Sequence, residues 1–494
     1  MNRAIGFYGR PAFVKGRDYQ EWLKGVSCRV GEPPSGQGFG WTERHVQCVW
    51  FDHRFRRDVL MTSDGEPIRV LDPGRWNLGA GPDFLGATLL IGRDERVVRG
   101  DVEIHVTAED WNRHGHREDS RYDGVCLHVT WTNTLLERSA LPLGCSQLAL
   151  CQQVIDHPCL LDTIDVAAYP FSVDVSPGSH AELFRSLGVE TLEAMLDAAG
   201  EYRLSLGVES ARDEITAVGA DQALYEAIMV SLGYSRNKAS FRRLARAVPL
   251  TRLREEADGD LTQAYALLAG VGGLLPEIEP GMDEATVSFL TNLWRRWWKL
   301  RDRWEPFRMN STCWVRHGIR PLNYPERRLM VAAEMMTRVR TPGKLLLVGV
   351  EGKQRWELTE LQQVFELQRP VPYWGTAYTW GRATNRVSRL LGRDRGRDML
   401  TNVAVPWLMA MEPGLLTQLG TPELRAGADN ELIRSVAHAI LGPDHNSRLY
   451  RNGIRQQGLL QIFRDFFMMR PDRAAEELLR DAIDRFESQR RGST

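Results

Sequence analysis

Two short segments of the chain carry side chains that could hold a metal ion and activate water. Asp83 follows a Gly-Pro pair just before an apolar run, and residues 100–105 read Gly-Asp-Val-Glu-Ile-His. Strand alternation puts Asp101, Glu103 and His105 on one face of the second segment. Two carboxylates and an imidazole in such proximity are costly to bury without a partner. The alternative is a solvated strand face with ion pairs.

Histidines are concentrated around the same segments, and this favours a site over a solvated face. Six of the eleven histidines of the chain fall between residues 45 and 128. His128 alternates with apolar neighbours, whereas His114 and His116 lie in a polar stretch upstream of it. Asp, Glu and His side chains clustered at strand ends are typical of a cation site.

An oxygen-rich ligand set predicts magnesium or manganese as the cofactor. Such an ion can orient water and offset the charge that develops on a phosphate. Asp83 and Glu103 are the predicted ligands, and His105 is the predicted group that takes or positions a proton. The predicted surrounding residues include Asp101, His116 and His128.

The paired histidines support a rival hypothesis. His114 and His116, together with Asp119, could bind zinc and activate water, as in zinc hydrolases. The structural alternative is that these histidines only stabilise the segment between two strands. The seven cysteines include no CxxC pair, so a cysteine-ligated zinc is not predicted.

The elements expected to position these residues begin with an amphipathic helix from Glu43 to Phe55. Four strand-like runs follow. A polar stretch at residues 108–123 separates the last two of them, and it is long enough for a helix or a crossover. The predicted strands cover residues 67–71, 84–91, 97–106 and 125–131.

The rest of the chain is predicted to be mainly helical, because apolar residues recur at three- and four-residue spacing. The helical stretches are 181–199, 220–248, 284–299, 326–339 and 473–486. The predicted fold class is therefore α+β, with an N-terminal α/β core around a mixed sheet and a helical region after it. The predicted domains are an extension at 1–42, an α/β domain at 43–160 and a helical region at 161–494, divisible into 161–345 and 346–494.

Pro82-Asp83 followed by Glu103-Ile104-His105 resembles the PD-(D/E)xK signature of restriction-endonuclease-like nucleases, and the order of elements matches the core of that family. The resemblance implies that Asp83, Glu103 and the Ile104 carbonyl bind magnesium, with Glu43 joining from the helix. It implies phosphodiester hydrolysis, with DNA favoured over RNA. His105 stands where the family has lysine, and histidine is not a constant cation near neutral pH. A non-catalytic nucleic-acid-binding or scaffold protein with a degenerate site is therefore the alternative.

A second resemblance covers more of the chain. The run from Pro73 to Phe84, residues 100–105, Asp110-Trp111 and the histidines after them are similar to a bacterial family catalogued as domain of unknown function 2851. The similarity continues downstream and spans roughly residues 43–470. It implies a family but no chemistry. Asn77, within the first of these runs, joins the candidate residues around the site.

Charge distribution suggests where a nucleic acid could bind. The net charge is only -1, but residues 291–340 contain twelve basic and four acidic side chains. Basic residues supply phosphate contacts, while the tryptophans of this stretch keep the spacing of a helical core. A solvated helix face is the alternative. The predicted contacts are Arg295, Arg296, Lys299, Arg320, Arg382 and Arg386.

The sequence also restricts the cellular setting. No apolar stretch approaches the roughly 18 residues that a membrane-spanning helix needs. The odd, scattered set of seven cysteines is typical of reduced thiols. We therefore expect a cytoplasmic protein without a membrane partner, and the sequence leaves its oligomeric state open.

Overall fold

A computed structural model shows a mixed β-sheet followed by a helical region, and the predicted α+β class is confirmed. The residues that the structure describes are 15–19, 41–51, 59–77, 80–154, 179–234, 237–316, 319–338, 342–367, 371, 373–383, 387, 389–419, 423–427, 431–442, 445–468, 480, 483–485 and 488.

The N-terminal unit begins with helix α1, Glu43–Phe51, and the predicted order of helix, three strands, crossover and strand is observed. Three short strands were not predicted, because two to four residues are too few to show a period. The strands are β1 (Leu60–Met61), β2 (Pro67–Asp72), β3 (Arg75–Trp76), β4 (Phe84–Ile91), β5 (Arg96–His105), β6 (Val125–Thr130) and β7 (Ser146–Ala149).

The sheet runs in the order β1-β2-β4-β5-β6-β7, with β3 paired to β4. Strands β2, β4 and β5 are antiparallel neighbours, whereas β6 lies parallel to β5 and β7 parallel to β6. The carboxyl ends of β5 and β6 therefore meet at one edge of the sheet. Register places Glu103 beside His128 at that edge.

Burial on both faces distinguishes the end of β5 from its beginning. The four residues Val102–His105 are all buried, whereas Arg96 and Val97 are exposed. Val102 and Ile104 join the core that α1 covers with Val46 and Trp50. The crossover between β5 and β6 contains the short helix α2 (Asp110–Arg113) and two 3-10 turns, His116–Glu118 and Ser120–Tyr122.

The helical region packs around an apolar core that extends from Leu204 to Ile454. This core includes residues on both sides of 345, so the division of the helical region there stays a prediction. A second core joins Tyr19, from the N-terminal extension, to residues 181–199 and 433–466. Within the described part of the chain, we find no helix with the length and apolar character needed to cross a membrane.

Most predicted helices are observed, although two of them are broken. Residues 181–199 form parts of two helices that meet near Gly188, and residues 220–248 are interrupted after Leu232. Most of the predicted helix at 473–486 lies outside the described residues. The helices are α3 (Ser179–Ser186), α4 (Val189–Val218), α5 (Ala220–Leu232), α6 (Lys238–Ala247), α7 (Leu250–Ala257), α8 (Leu261–Val271), α9 (Glu284–Trp304), α10 (Pro325–Arg338), α11 (Pro342–Val348), α12 (Leu358–Gln363), α13 (Arg393–Met399), α14 (Val405–Met411), α15 (Leu415–Leu419), α16 (Glu431–Leu441) and α17 (Gly453–Ile462).

Candidate metal centre

The end of strand β5 supplies the centre of the site. Glu103 and His105 lie on one face of the strand, and both side chains are buried. The parallel partner β6 brings His128 alongside, so that His105 Nδ1 lies 2.9 Å from His128 Nε2. Pairing of Phe84 with Val102 brings the residue before β4, Asp83, to the same place.

Asp83 and Glu103 are interlocked through the backbone. The Asp83 N–H donates to Glu103 Oε2 at 3.0 Å, and the Ile104 N–H donates to Asp83 Oδ2 at 3.0 Å. Gln47 of α1 donates to Asp83 Oδ1 at 2.7 Å. Asn77 holds the turn before Asp83, since its backbone N–H donates to the Asp83 carbonyl at 2.7 Å. The two carboxylates therefore have defined positions.

The crossover contributes His116. Its Nε2 lies 3.1 Å from Glu103 Oε1 and 3.2 Å from His105 Nε2. The His116 ring stacks on Tyr122 with a centroid distance of 3.9 Å, and Trp111 packs edge-on against it at 5.3 Å. Gly115, with φ at +73°, provides the left-handed turn that leads into this position. The aromatic rings thus fix the orientation of the imidazole.

The side of the cluster that is open to solvent is formed by Glu43 and His114. Glu43 Oε1 lies 3.8 Å from His105 Nε2, and its side chain is 38% exposed. His114 is exposed as well, with its ring 5.1 Å from that of His105. Two sets of donor atoms lie within 4.8 Å of one another, and His105 belongs to both. They are Glu43, Glu103 and His105, and His105, His114 and His116.

Burial and mutual repulsion make the cluster electrostatically costly. Burial, with repulsion by Asp83 and Glu103, raises the pKa of Glu43 to about 8. Burial raises the pKa of Glu103 to about 8, although the Asp83 N–H partly offsets it. The pKa of Asp83 is raised by burial and by Glu103. A divalent cation would remove this cost, because it neutralises the carboxylates that repel one another.

The histidines are in the form that metal coordination requires. Burial lowers the pKa of His105 far below its usual range and that of His128 to about 4. The pKa values of His114 and His116 are lowered by burial too. Neutral imidazoles offer a lone pair to a cation. The residues present therefore fit a divalent metal ion.

Two predicted site residues lie apart from the cluster. The register of β5 against β6 shifts between Asp101 and Val102, and Asp101 Oδ1 accepts from the Gly86 N–H at 2.9 Å. Asp119 pairs with Arg121 at the surface. Both carboxylates therefore have structural partners of their own. Gln47 was not among the predicted site residues, although its position four residues after Glu43 puts the two on one face of α1.

The basic residues predicted to contact nucleic acid have differing surroundings. Arg295, Lys299 and Arg320 are exposed. Arg296 is engaged, since its Nη1 donates to Asp260 at 2.7 Å and to Gln263 at 3.1 Å. The Arg382 side chain and Arg386 lie outside the described residues.

The tryptophans of the same stretch are mostly part of the core, as predicted. Trp297, Trp304 and Trp314 are buried, whereas Trp298 is 56% exposed. Aromatic stacking on bases therefore has little support here.

Fold and site together define an α+β protein with a carboxylate and histidine cluster at the edge of a mixed sheet. The chain belongs to the family described as Protein of unknown function (DUF2851), whose model matches residues 43–415. This confirms the family resemblance over those residues. No curated protein and no solved structure matches the chain. The nuclease resemblance stays a prediction.

Proposed function

We propose that this chain hydrolyses phosphodiester bonds in nucleic acid, DNA in preference to RNA, with a divalent cation held at Glu103. The observation that carries the proposal is the convergence of Asp83, Glu103 and Glu43 at the end of β5, beside neutral histidines. Carboxylates buried together in this way are suited to a cation that binds a phosphate.

The cation, when bound, would offset negative charge on the phosphate and lower the pKa of water. Glu103 belongs to each ligand set that contains a carboxylate of the sheet, with Asp83 or His105 as its partner. Glu43 is the more exposed carboxylate, with 38% of its side chain open to solvent against 5% for Glu103. It is therefore placed to take the proton of the attacking water once a bound cation has lowered its pKa.

The proposed reaction is the hydrolysis of one phosphodiester bond by one water molecule. The oxygen of water forms a bond to phosphorus, and its proton passes to Glu43. The bond between phosphorus and the leaving sugar oxygen breaks, and that oxygen takes a proton from solvent water. A phosphate monoester and an alcohol result, and no oxidant or reductant is needed.

A second candidate is a zinc-dependent hydrolase acting on a small substrate. The donor atoms of His105, His114 and His116 lie within 4.8 Å of one another, and this observation favours it. Nitrogen-rich sets of this kind suit zinc. The two candidates share the site but differ in substrate, so substrate profiling separates them.

The experiment that tests the proposal is cleavage of linear, nicked and single-stranded DNA and of RNA by the purified full chain. Mg²⁺, Mn²⁺ and Zn²⁺ are supplied separately. Cleavage should disappear in Glu103→Gln and persist in Asp101→Asn, a carboxylate of the same strand that contacts Gly86 instead of the cluster. Equal cleavage by wild type and Glu103→Gln would point to a contaminant. Binding without cleavage would favour a scaffold protein.

A further inference from the structure

Three donor atoms form a nearly equilateral triangle at the centre of the cluster. His105 Nε2 and His116 Nε2 are 3.2 Å apart, His116 Nε2 and Glu103 Oε1 are 3.1 Å apart, and His105 Nε2 and Glu103 Oε1 are 3.5 Å apart. All three side chains are buried. They come from one strand and the crossover that follows it.

These separations match those of ligands around one small metal ion. Metal–ligand bonds of about 2.0–2.2 Å place neighbouring donors roughly 2.9–3.6 Å apart, for bond angles between octahedral and tetrahedral. We propose that His105, His116 and Glu103 bind a single transition-metal ion, of the class of zinc, manganese, cobalt or ferrous iron. Histidine in the lysine position of the nuclease signature is then a ligand.

Hydrogen bonding alone is a poorer explanation of the triangle. When His105 carries its proton on Nδ1, it donates to His128 Nε2 at 2.9 Å, and its Nε2 offers a lone pair to the cluster. The Glu103 oxygen and the two imidazole nitrogens then have two protons, at most, to share among three edges, one from Glu103 and one from His116. A cation satisfies all three acceptors at once.

The surroundings resemble those of ligating histidines in general. A ligating histidine commonly donates its other ring nitrogen to a fixed acceptor, and this sets its tautomer. His128 serves His105 in that way, while Tyr122 and Trp111 orient His116. His128 is therefore a positioning residue. The exposed side, toward Glu43 and His114, leaves room for water or substrate to complete the coordination.

Nitrogen ligands decide the class of ion. Magnesium prefers oxygen ligands and retains water, whereas imidazole suits zinc, manganese, cobalt and iron. Asp83 is not one of the three, since its two oxygens accept from Ile104 and Gln47. Its part is to hold Glu103 in place through the Asp83 N–H.

This inference rests on the part of the proposed function that makes this site a metal centre. It does not depend on which substrate is cleaved. The test is therefore a binding measurement. Purified full chain is stripped with a chelator and titrated with Zn²⁺, Co²⁺ and Mg²⁺ by calorimetry, without nucleic acid. We expect one Zn²⁺ or Co²⁺ per chain, undisturbed by excess Mg²⁺.

Variants locate the ion. His105→Ala and His116→Ala should each weaken Zn²⁺ binding by more than about 100-fold, since even an outer partner is worth roughly 10–100-fold. His45→Gln is the matched control, because His45 is buried in the same unit and contacts Thr42 instead of the cluster. Its binding should equal that of wild type. If an alanine variant fails to fold, the proton NMR spectrum of the Co²⁺-loaded wild-type chain answers the same question.

Strongly shifted, exchangeable imidazole N–H proton resonances in the Co²⁺-loaded chain support nitrogen ligation, and a Co²⁺-loaded chain without them would overturn it. The inference also fails if the folded wild type binds no Zn²⁺ or Co²⁺. It fails too if Mg²⁺ binds equally to wild type and His116→Ala but not to Asp83→Ala. Magnesium-dependent cleavage by His116→Ala would overturn this inference and leave the proposed function standing. Tight Zn²⁺ binding without cleavage of any nucleic acid would support this inference and contradict the proposed function.

Discussion

Polar side chains are buried in both regions of the molecule, but with opposite hydrogen-bonding chemistry. In the helical region, Arg327 is fully buried and its Nη1 donates to the Trp374 carbonyl at 2.8 Å and to the Ala377 carbonyl. In the α/β unit, Glu103 and the neighbouring histidines bring together oxygen and nitrogen atoms that can all accept a hydrogen bond. One region pairs donors with acceptors, and the other brings potential acceptors together.

This difference separates a structural from a functional use of buried polarity. Charged donors facing carbonyls stabilise the fold directly, because each partner satisfies the other. Buried acceptors that lie close to one another without a donor destabilise the fold unless a cation binds between them. Similar burial therefore goes with a framework role for Arg327 and, in our proposal, with a metal site at Glu103.

The largest predicted change in the free energy of unfolding is at Arg327, in the helical region. Arg327→Met removes the donor that the Trp374 and Ala377 carbonyls share, and the free energy of unfolding should fall by about 3–5 kcal/mol. Urea unfolding measures it. Arg355→Met, at an arginine that is 83% exposed beside Glu357, should cost less than about 1 kcal/mol. Similar small losses in both variants would contradict a framework role for Arg327.

In the cluster of carboxylates and histidines, we expect a substitution to raise the free energy of unfolding when no metal is bound. In chelator, Glu103→Gln should raise the free energy of unfolding by about 1–4 kcal/mol, because a neutral amide replaces a buried carboxylate among others. With saturating Zn²⁺ the order should reverse, since only the wild type gains the binding free energy. Urea unfolding with and without the ion measures both. A variant less stable than wild type in chelator would show that Glu103 is a structural residue.

A smaller effect is expected from the residue that orients His105. His128→Phe keeps a ring but removes the nitrogen that pairs with His105 Nδ1, so Zn²⁺ affinity should fall by about 10–100-fold. Calorimetry measures the change, and His45→Gln should leave the affinity at the wild-type value. Undiminished Zn²⁺ affinity in His128→Phe would mean that packing alone orients His105.

The smallest effect concerns the basic surface of α9. Arg295→Gln and Lys299→Gln should each reduce the dependence of log K on log salt by about 0.9, if each contacts one phosphate. Anisotropy of labelled DNA at several salt concentrations measures it. Arg296→Gln is the matched control on the same helix, because Arg296 is occupied by Asp260. An unchanged slope in Arg295→Gln and Lys299→Gln would show that DNA binds to another surface.

Much of the α/β unit was predictable, because its strands are long enough to show a period. Strand β4 spans Phe84–Ile91 as predicted, and β5 begins one residue earlier than predicted and ends at His105. The short strands β1 and β3 offer two residues each, and no pattern can be read from two. The break near Gly188 was missed because the apolar spacing continues across it.

The candidate site was predictable in composition but not in arrangement. Strand alternation and the nuclease-like signature predicted Asp83, Glu103 and His105, and the histidine concentration indicated His128. His116 was expected around the ligands, whereas the structure puts it 3.1 Å from Glu103 Oε1. That distance depends on the path of the crossover, which contains no regular period to read.

The sequence by itself determined which residue types are available and which face of each strand they occupy, because alternation is a local property of the chain. Only the tertiary structure decided which donor atoms meet. The parallel register of β5 and β6 sets His128 beside Glu103, and the turn at Gly115 brings His116 back over the sheet. The distances between these donor atoms depend on strand pairing and on the path of the crossover, and local patterns do not encode either.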